Sequence, residues 1–370
     1  MKTATITYHK VYNYGALLQA YALQQAQLKL SIDNVIIDYS SEKNKVYKKI
    51  KGKSLKILLV NTLRLLETLA NLPAIRRRCQ KFQNFSNQNL FLTPRYYTFK
   101  ELQKNPPNAD WYIAGSNQLW NVSTLLRKEF FLDFGGDEVK RASYAVSMGS
   151  YEVSNNYQEQ FRELVNRFDA ISVREIEAKE YIEKLIDKEV DVKLNFDPVF
   201  LLSKEEWSKF AIGKRIRNKY ILCYPLSGHP LIQSAINRLK QLTGYPIVII
   251  STELFTHIKG DVTIRDATPQ EFVALVKNAE YVLTSSFHGT VFACIFNTKF
   301  YSFVGGTAPT RITGVLKCLK LEHRIADSIE EVNTNEIDFT EANHIIKKEK
   351  ESSQDYLRSL LVTPKPNIPN

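Results

Sequence analysis

The sequence predicts an α/β chain built on two doubly wound parallel sheets that face each other across a cleft. Short apolar, β-rich runs alternate with helical stretches. That alternation runs once to about residue 200 and starts again near residue 220. The length of 370 residues is too great for one ordinary core. Alternation of this kind, twice over, is the pattern of two layered units with helices packed on parallel strands.

In chain order, residues 4–8 read as a strand, 9–15 as a loop and 16–30 as a helix with Leu17, Leu18, Tyr21, Ala22 and Leu23 on its apolar side. Residues 34–39 are the second strand. A basic stretch follows, read as one or two helices ending near Phe85. Strands at 110–114 and 141–146 break into the polar turns 115–118 and 147–150. The strand at 170–173 stops at Arg174 and Glu175 before a helix to about 186. Residues 190–194 lead into Asp197 and Pro198, whose proline ends any regular ladder. The polar, tryptophan-bearing stretch 203–218 reads as a connection. Strands then follow at 220–224, 246–251, 281–284 and 300–304, with helices between them, and 343–361 is a charged amphipathic helix. This divides the chain into Rossmann-like domains at 1–205 and 206–340, with a terminal helix and tail at 341–370.

Composition narrows the setting. Nothing at the N-terminus reads as a signal peptide, and charges interrupt every apolar window before it could span a bilayer. Cys79, Cys223, Cys294 and Cys318 are scattered, two of them in apolar runs, which suits reduced thiols. A cytoplasmic protein is expected. Of the net charge of +11, +10 belongs to one segment: residues 43–78 hold seven lysines and four arginines against Glu67 alone. Those basic residues interleave with leucines rather than with stacking aromatics, and no nucleic-acid motif accompanies them, so nucleic acid is not expected as a partner. Glycine-rich dinucleotide and P-loop fingerprints are missing; Gly52-Lys53-Ser54 has Tyr47 where a P-loop needs glycine. So are His-Glu-x-x-His, Cys-x-x-Cys and Gly-x-Ser-x-Gly.

The stretch 281–296 is the most informative. A buried strand over 281–284 runs into a turn of small residues, Ser285, Ser286 and Gly289, and then into an apolar helix over 290–296. His288 thus stands where a strand ends and a helix begins, a place that favours an anion. A histidine there is a ligand or an acid, or else a helix cap or core residue. In a parallel sheet ligands bind beyond the carboxyl ends of the strands. The loops at 13–15, 115–118, 147–149, Arg174 and 305–311 all lie at such ends, so Arg174, His288 and Arg311 would line one cleft. Three potential cations there suggest a small polyanionic substrate. Arg174 pairing with Glu175, and Arg311 as a helix-surface charge, are the plain alternatives.

Six segments, in this order, resemble the polysaccharide pyruvyl transferase family: NYGALLQAYALQ (13–24), GSNQLWN (115–121), SYAVSMG (143–149), SVRE (172–175), DPVFLL (197–202) and LTSSFHGTVF (283–292). Each is weak alone; the ordered set is specific. The family usually has aspartate where this chain has Asn117. The resemblance implies a two-domain fold similar to GT-B glycosyltransferases. It implies transfer of the pyruvyl group of phosphoenolpyruvate to two hydroxyls of one sugar, with release of phosphate. His288 would be the acid, and Arg174 and Arg311 the anion clamps, with Lys299 as the alternative to Arg311. Asn13, Tyr14, Gly15, Ser116, Asn117, Gln118, Ser147, Ser285, Ser286 and Gly289 would surround the substrates. No cofactor or metal is called for.

Two other readings stand beside it. One is a GT-B glycosyltransferase using a nucleotide sugar. The other is a catalytically silent, membrane-associated scaffold of polysaccharide assembly. The expected partners are phosphoenolpyruvate and a saccharide acceptor, lipid-linked or polymeric, with an anionic membrane met through residues 43–66 at the inner face of the cytoplasmic membrane.

Overall fold

The computed structural model describes residues 1–40, 55–123, 125–149, 153–187, 190–213, 216–226, 228–251, 258–305 and 310–362. Two separate parallel sheets organise them, the arrangement of two Rossmann-like domains. The first has the order β2-β1-β3-β4, from β1 (Lys2–Ile6), β2 (Asp33–Ile36), β3 (Trp111–Ala114) and β4 (Lys140–Ser143). The short parallel pair β5 (Ser172–Val173) and β6 (Lys193–Leu194) continues it, through bridges from Ala142 to Ala170 and from Val146 to Val173. The second has the order β11-β10-β7-β8-β9, from β7 (Ile221–Tyr224), β8 (Ile247–Ile250), β9 (Val262–Ile264), β10 (Tyr281–Thr284) and β11 (Lys299–Ser302). Every strand pair is parallel, so each sheet gathers its strand-to-helix loops on one edge.

The strands fall where the apolar runs predict, most of them one to three residues shorter, and β9 is additional. Two helices depart from expectation, and a third, expected as one or two ending near Phe85, runs on to Asn89. The helix α1 (Tyr14–Lys29) starts two residues early, because the Asn13 side chain accepts from Ala16 N at 3.0 Å and caps it. The basic stretch holds one long helix, α2 (Leu55–Asn89), with Pro73 inside it; residues 41–54 lie outside the described residues. The supposed connection 203–218 contains α6 (Lys204–Phe210), started by a reciprocal Ser203–Glu206 capping box. Its Trp207 is fully buried and donates its indole N–H to Val199 O at 2.8 Å, so this stretch is part of the core.

One apolar cluster runs through both halves. Tyr14 stacks on Phe272 of α8 (Pro269–Lys277) at 4.6 Å, leans on Phe82 of α2 and gives its hydroxyl to Ala267 O at 2.9 Å. Alongside it, Arg77 Nε and Lys81 Nζ of α2 reach Asp266 Oδ2 at 3.1 and 3.4 Å. After α10 (Thr310–Cys318), the last helix, α11 (Thr340–Val362), returns to the first sheet, where Tyr356 donates to Ser143 O at 2.7 Å. Cys223 and Cys294 are buried free thiols, and burial pushes Cys223 up to about 12.

Tyr14 therefore joins the halves mainly by its ring. Tyr14→Ala should lower unfolding stability by about 3–5 kcal/mol. Tyr14→Phe, which keeps the ring and removes the hydroxyl with its bond to Ala267, should cost about 1 kcal/mol. Urea unfolding measures both, and equal losses would assign the contact to the hydroxyl.

Candidate functional site

The site begins at the end of β10. Thr284 Oγ1 donates to Tyr224 O at 2.7 Å and accepts from Ser286 N at 3.0 Å, which turns the chain sharply out of the sheet. Ser286 then caps α9 (Phe287–Phe296), its hydroxyl accepting from Gly289 N at 3.3 Å. His288 and Gly289 thus lie inside the first helical turn, not in a turn before it. The helix starts so close to the strand that a Cβ on Gly289 would lie 2.4 Å from Thr284 Oγ1. His288 points at the other half of the protein, where its ring rests on Gly15. A Cβ on Gly15 would lie 1.9 Å from His288 Nδ1. The N-termini of α1 and α9 therefore meet at this imidazole.

From the first half come Arg174 and Asp197, which follow β5 and β6. Arg174 N continues the ladder by donating to Val146 O at 3.1 Å. Its guanidinium is buried and held on three sides: Nη1 to Asp197 Oδ2 at 2.6 Å, Nε to Glu175 Oε1 at 3.2 Å, and the face of Phe287 at 4.6 Å. Nη2 is buried with no hydrogen-bond partner. Burial works against this charge, but Glu175 and Asp197 outweigh it and raise the pKa above its ordinary value.

Asp197 is the site residue to which sequence reasoning gave no role. It was read as the start of a ladder-breaking Asp-Pro pair and as the first residue of the family segment 197–202. Its carboxylate is fully buried; Oδ1 accepts from Val199 N at 3.1 Å, capping a 3-10 turn over Pro198–Leu201. Oδ2 meets Arg174 and also accepts from Ser116 Oγ at 3.4 Å. His288 Nε2 stands 3.5 Å from the same oxygen, an ion-pair distance longer than a hydrogen bond. Burial pushes the Asp197 carboxyl up, but His288, Arg174 and the Val199 N–H more than offset it and hold it at about 2. The legible signal was an acid at a strand end on the same sheet edge as Arg174. Arg174 does pair with Glu175, the plain alternative, but also with Asp197. The cleft is therefore less cationic than three convergent cations would make it.

The other expected residues divide. Ser116 touches Asp197. Asn117 sits at φ 94°, a left-handed conformation, and its Oδ1 accepts from Gln118 N at 3.0 Å. Ser147 is fully buried, and its Oγ has no hydrogen-bond partner. Gly149, at φ 69°, makes room for Gln118, whose Nε2 would be 2.5 Å from a Cβ there. Tyr14 is committed to the contact between the halves, and Ser285 Oγ accepts from Leu226 N at 3.1 Å. Arg311 lies in the first turn of α10, on the same edge of the second sheet as His288. Lys299 opens β11 at the opposite end and pairs with Glu336.

Two parallel sheets that bring a carboxylate, an imidazole and a guanidinium together at their strand ends define a two-domain α/β enzyme. The profile of the family described as polysaccharide pyruvyl transferase matches residues 13–305, and the chain belongs to that family. It is a transferase of polysaccharide biosynthesis. Its fold is similar to UDP-GlcNAc 2-epimerase from Methanocaldococcus jannaschii, with 13% identity, coverage of 98% of this chain and 100% of that one, and a TM-score of 0.52. That enzyme in complex with UDP-GlcNAc and UDP gives 13% identity, the same coverage and a TM-score of 0.50. Likeness at this identity is one of fold alone. No curated protein matches the sequence.

The contact of Gly15 with His288 yields a direct test. Gly15→Ala should fold, because alanine is a better helix former than glycine, but it should displace the imidazole and lower turnover at least about 100-fold. In a His288→Ala background the same change should cost little more, since the clash is gone. Additive losses would mean that Gly15 acts through something other than His288.

Proposed function

We propose that this enzyme transfers the pyruvyl group of phosphoenolpyruvate onto two hydroxyls of one sugar, forming a cyclic ketal and releasing phosphate. The observation that carries this reading is Arg174 Nη2: a buried guanidinium nitrogen without an acceptor, clamped on three sides, beside a histidine at two helix N-termini. A carboxylate or phosphate oxygen is the natural occupant. The arrangement of the two sheets, strand ends toward a shared site, is read as GT-B-like, with domain limits near residues 205 and 340.

In the reaction, His288 gives a proton to the methylene carbon of phosphoenolpyruvate, and positive charge develops at the central carbon. A sugar hydroxyl oxygen bonds to that carbon, the bond to phosphate breaks, and a second hydroxyl closes the ring. Of the two hydroxyl protons, one returns to His288 and the other leaves on phosphate. Arg174 and Arg311 bind the anionic groups and stabilise charge on the departing phosphate. Asn13, Gly15, Ser116, Asn117, Gln118 and Ser147 face the sugar or order the donor. Phosphate release from phosphoenolpyruvate, screened over lipid-linked and free glycans, tests the reading. Arg174→Ala should chiefly raise the KM for phosphoenolpyruvate, and His288→Ala should slow turnover by about 10²–10⁴-fold. UDP binding without any phosphate release from phosphoenolpyruvate would assign the site to nucleotide-sugar chemistry.

A membrane-surface partner is supported by α2. Leu65 and Leu69, one turn apart, are 45% and 56% exposed. They follow the lysine cluster, six of whose members lie outside the described residues. No helix among the described residues is long and apolar enough to cross a membrane. Each lysine at an anionic surface contributes about 1 kcal/mol. Binding to anionic vesicles should therefore weaken with salt and on changing Lys48, Lys49, Lys51 and Lys53 to glutamine. Complete recovery in the supernatant at low salt would refute it.

A further inference from the structure

We infer that the saccharide partner is a neutral glycan several sugars long, seated along the carboxyl edge of the first sheet from Ser116, past the Lys10–Asp38 pair, to Tyr97. The inference rests on the pyruvyl-transfer reading for that glycan's role as acceptor, but not for its binding.

The sheet lays out the row. Its strand order turns back between β1 and β3, the place where a parallel sheet opens a crevice for ligands. The chain leaving β1 reaches Gly15 under His288, and the chain leaving β3 reaches Ser116 beside Asp197. On the far side of β1 lies β2, and residues 91–96 run parallel to it as a further edge. Ile36 N donates to Phe91 O at 2.8 Å, and Tyr96 N to Asp38 O at 2.8 Å. Three strand spacings of about 4.8 Å put this outer edge about 14 Å from β3. Direct contacts span the interval. Thr7 Oγ1 donates to Ser116 O at 2.8 Å, and His9 lies with Nδ1 3.0 Å from Thr7 O and Nε2 3.5 Å from Asp38 Oδ1.

The middle of the row is polar without a surplus of charge. Lys10, partly exposed, is matched by Asp38 at 3.1 Å, and Arg127 by Glu129 at 2.9 Å. Tyr39 donates its hydroxyl to Glu129 Oε1 at 3.2 Å, and Arg127 Nη1 donates to the Tyr8 hydroxyl at 3.2 Å. Burial raises the Asp38 carboxyl, but His9 and Lys10 outweigh it and hold it below its ordinary value. Hydroxyl groups, which donate and accept at once, suit such paired side chains; a polyanion does not. At the outer end Tyr97 is 60% exposed, with Arg95 over its ring at 4.9 Å. Its backbone N–H donates to Glu101 Oε2 at 2.8 Å, the carboxylate that also closes a capping box with Thr98, so the ring stands on a hydrogen-bonded turn. An exposed aromatic ring with a polar tip matches the C–H face and hydroxyl rim of a sugar.

A panel of immobilised neutral glycans, mono- to tetrasaccharides of glucose, galactose, mannose and N-acetylglucosamine, tests the track without phosphoenolpyruvate. The full-length native protein should be retained by at least one tetrasaccharide and not by the corresponding monosaccharide. Tyr97→Ala, a change at an exposed ring, should weaken that retention about tenfold. Lys10→Gln, nearer the reacting groups, should weaken binding of shorter chains as well. No retention on any neutral glycan, equal retention of monosaccharide and tetrasaccharide, or unaltered affinity in both variants would overturn the inference. In turnover, Tyr97→Ala should raise the KM for the longer acceptor and not that for phosphoenolpyruvate. A rise in the KM for phosphoenolpyruvate alone would assign Tyr97 to the donor and refute the track. Absence of any phosphate release from phosphoenolpyruvate would refute the donor, while retention on the panel still decides the track.

Discussion

Asp197 Oδ2 receives Arg174 Nη1 at 2.6 Å, accepts from Ser116 Oγ at 3.4 Å and faces His288 Nε2 at 3.5 Å, so a single oxygen joins segments from both sheets. A carboxylate with no solvent contact is costly unless it is paired and hydrogen-bonded. That cost constrains its neighbours: the guanidinium and the imidazole have to sit where they do, or the buried charge stands alone. The pocket is held by this dependence as much as by packing.

The surrounding fold makes the arrangement available. Parallel strands release their chains on one edge, and the following helices point their N-termini at the same place. Small residues then let the helices close in: Gly289 over Thr284, and Gly15 under His288. Serine and asparagine side chains satisfy the first amides of both helices, Ser286 for α9 and Asn13 for α1. The polar loops thus act first as caps and spacers, while Arg174 Nη2 and Ser147 Oγ stay buried without a hydrogen-bond partner.

Much of this architecture could be read without coordinates. Alternating apolar runs placed most strands within a few residues, and β10 at its exact limits, because buried parallel strands are nearly continuous hydrophobic segments. His288 and Arg174 were legible as polar residues at strand ends. What escaped depended on pairing across distant segments. Asp197 looked like a chain breaker because its partners stand 23 residues before it and 91 after it. Trp207 was placed in a connecting stretch because its neighbours are charged, although the indole alone decides burial there. The start of α9 was set three residues late, since Phe287-His288-Gly289 reads as a turn until Ser286 is seen as the cap.

The path of α11 bears on how the halves can move. The polypeptide passes from the first half to the second near α6, and comes back after α10 to lay Tyr356 against Ser143. Two covalent crossings behave like a pair of hinge pins. Twisting or sliding one half against the other would pull α11 from its seat. Any change in the relation between the halves therefore has to leave both crossings, and the seat of Tyr356 on Ser143, in place.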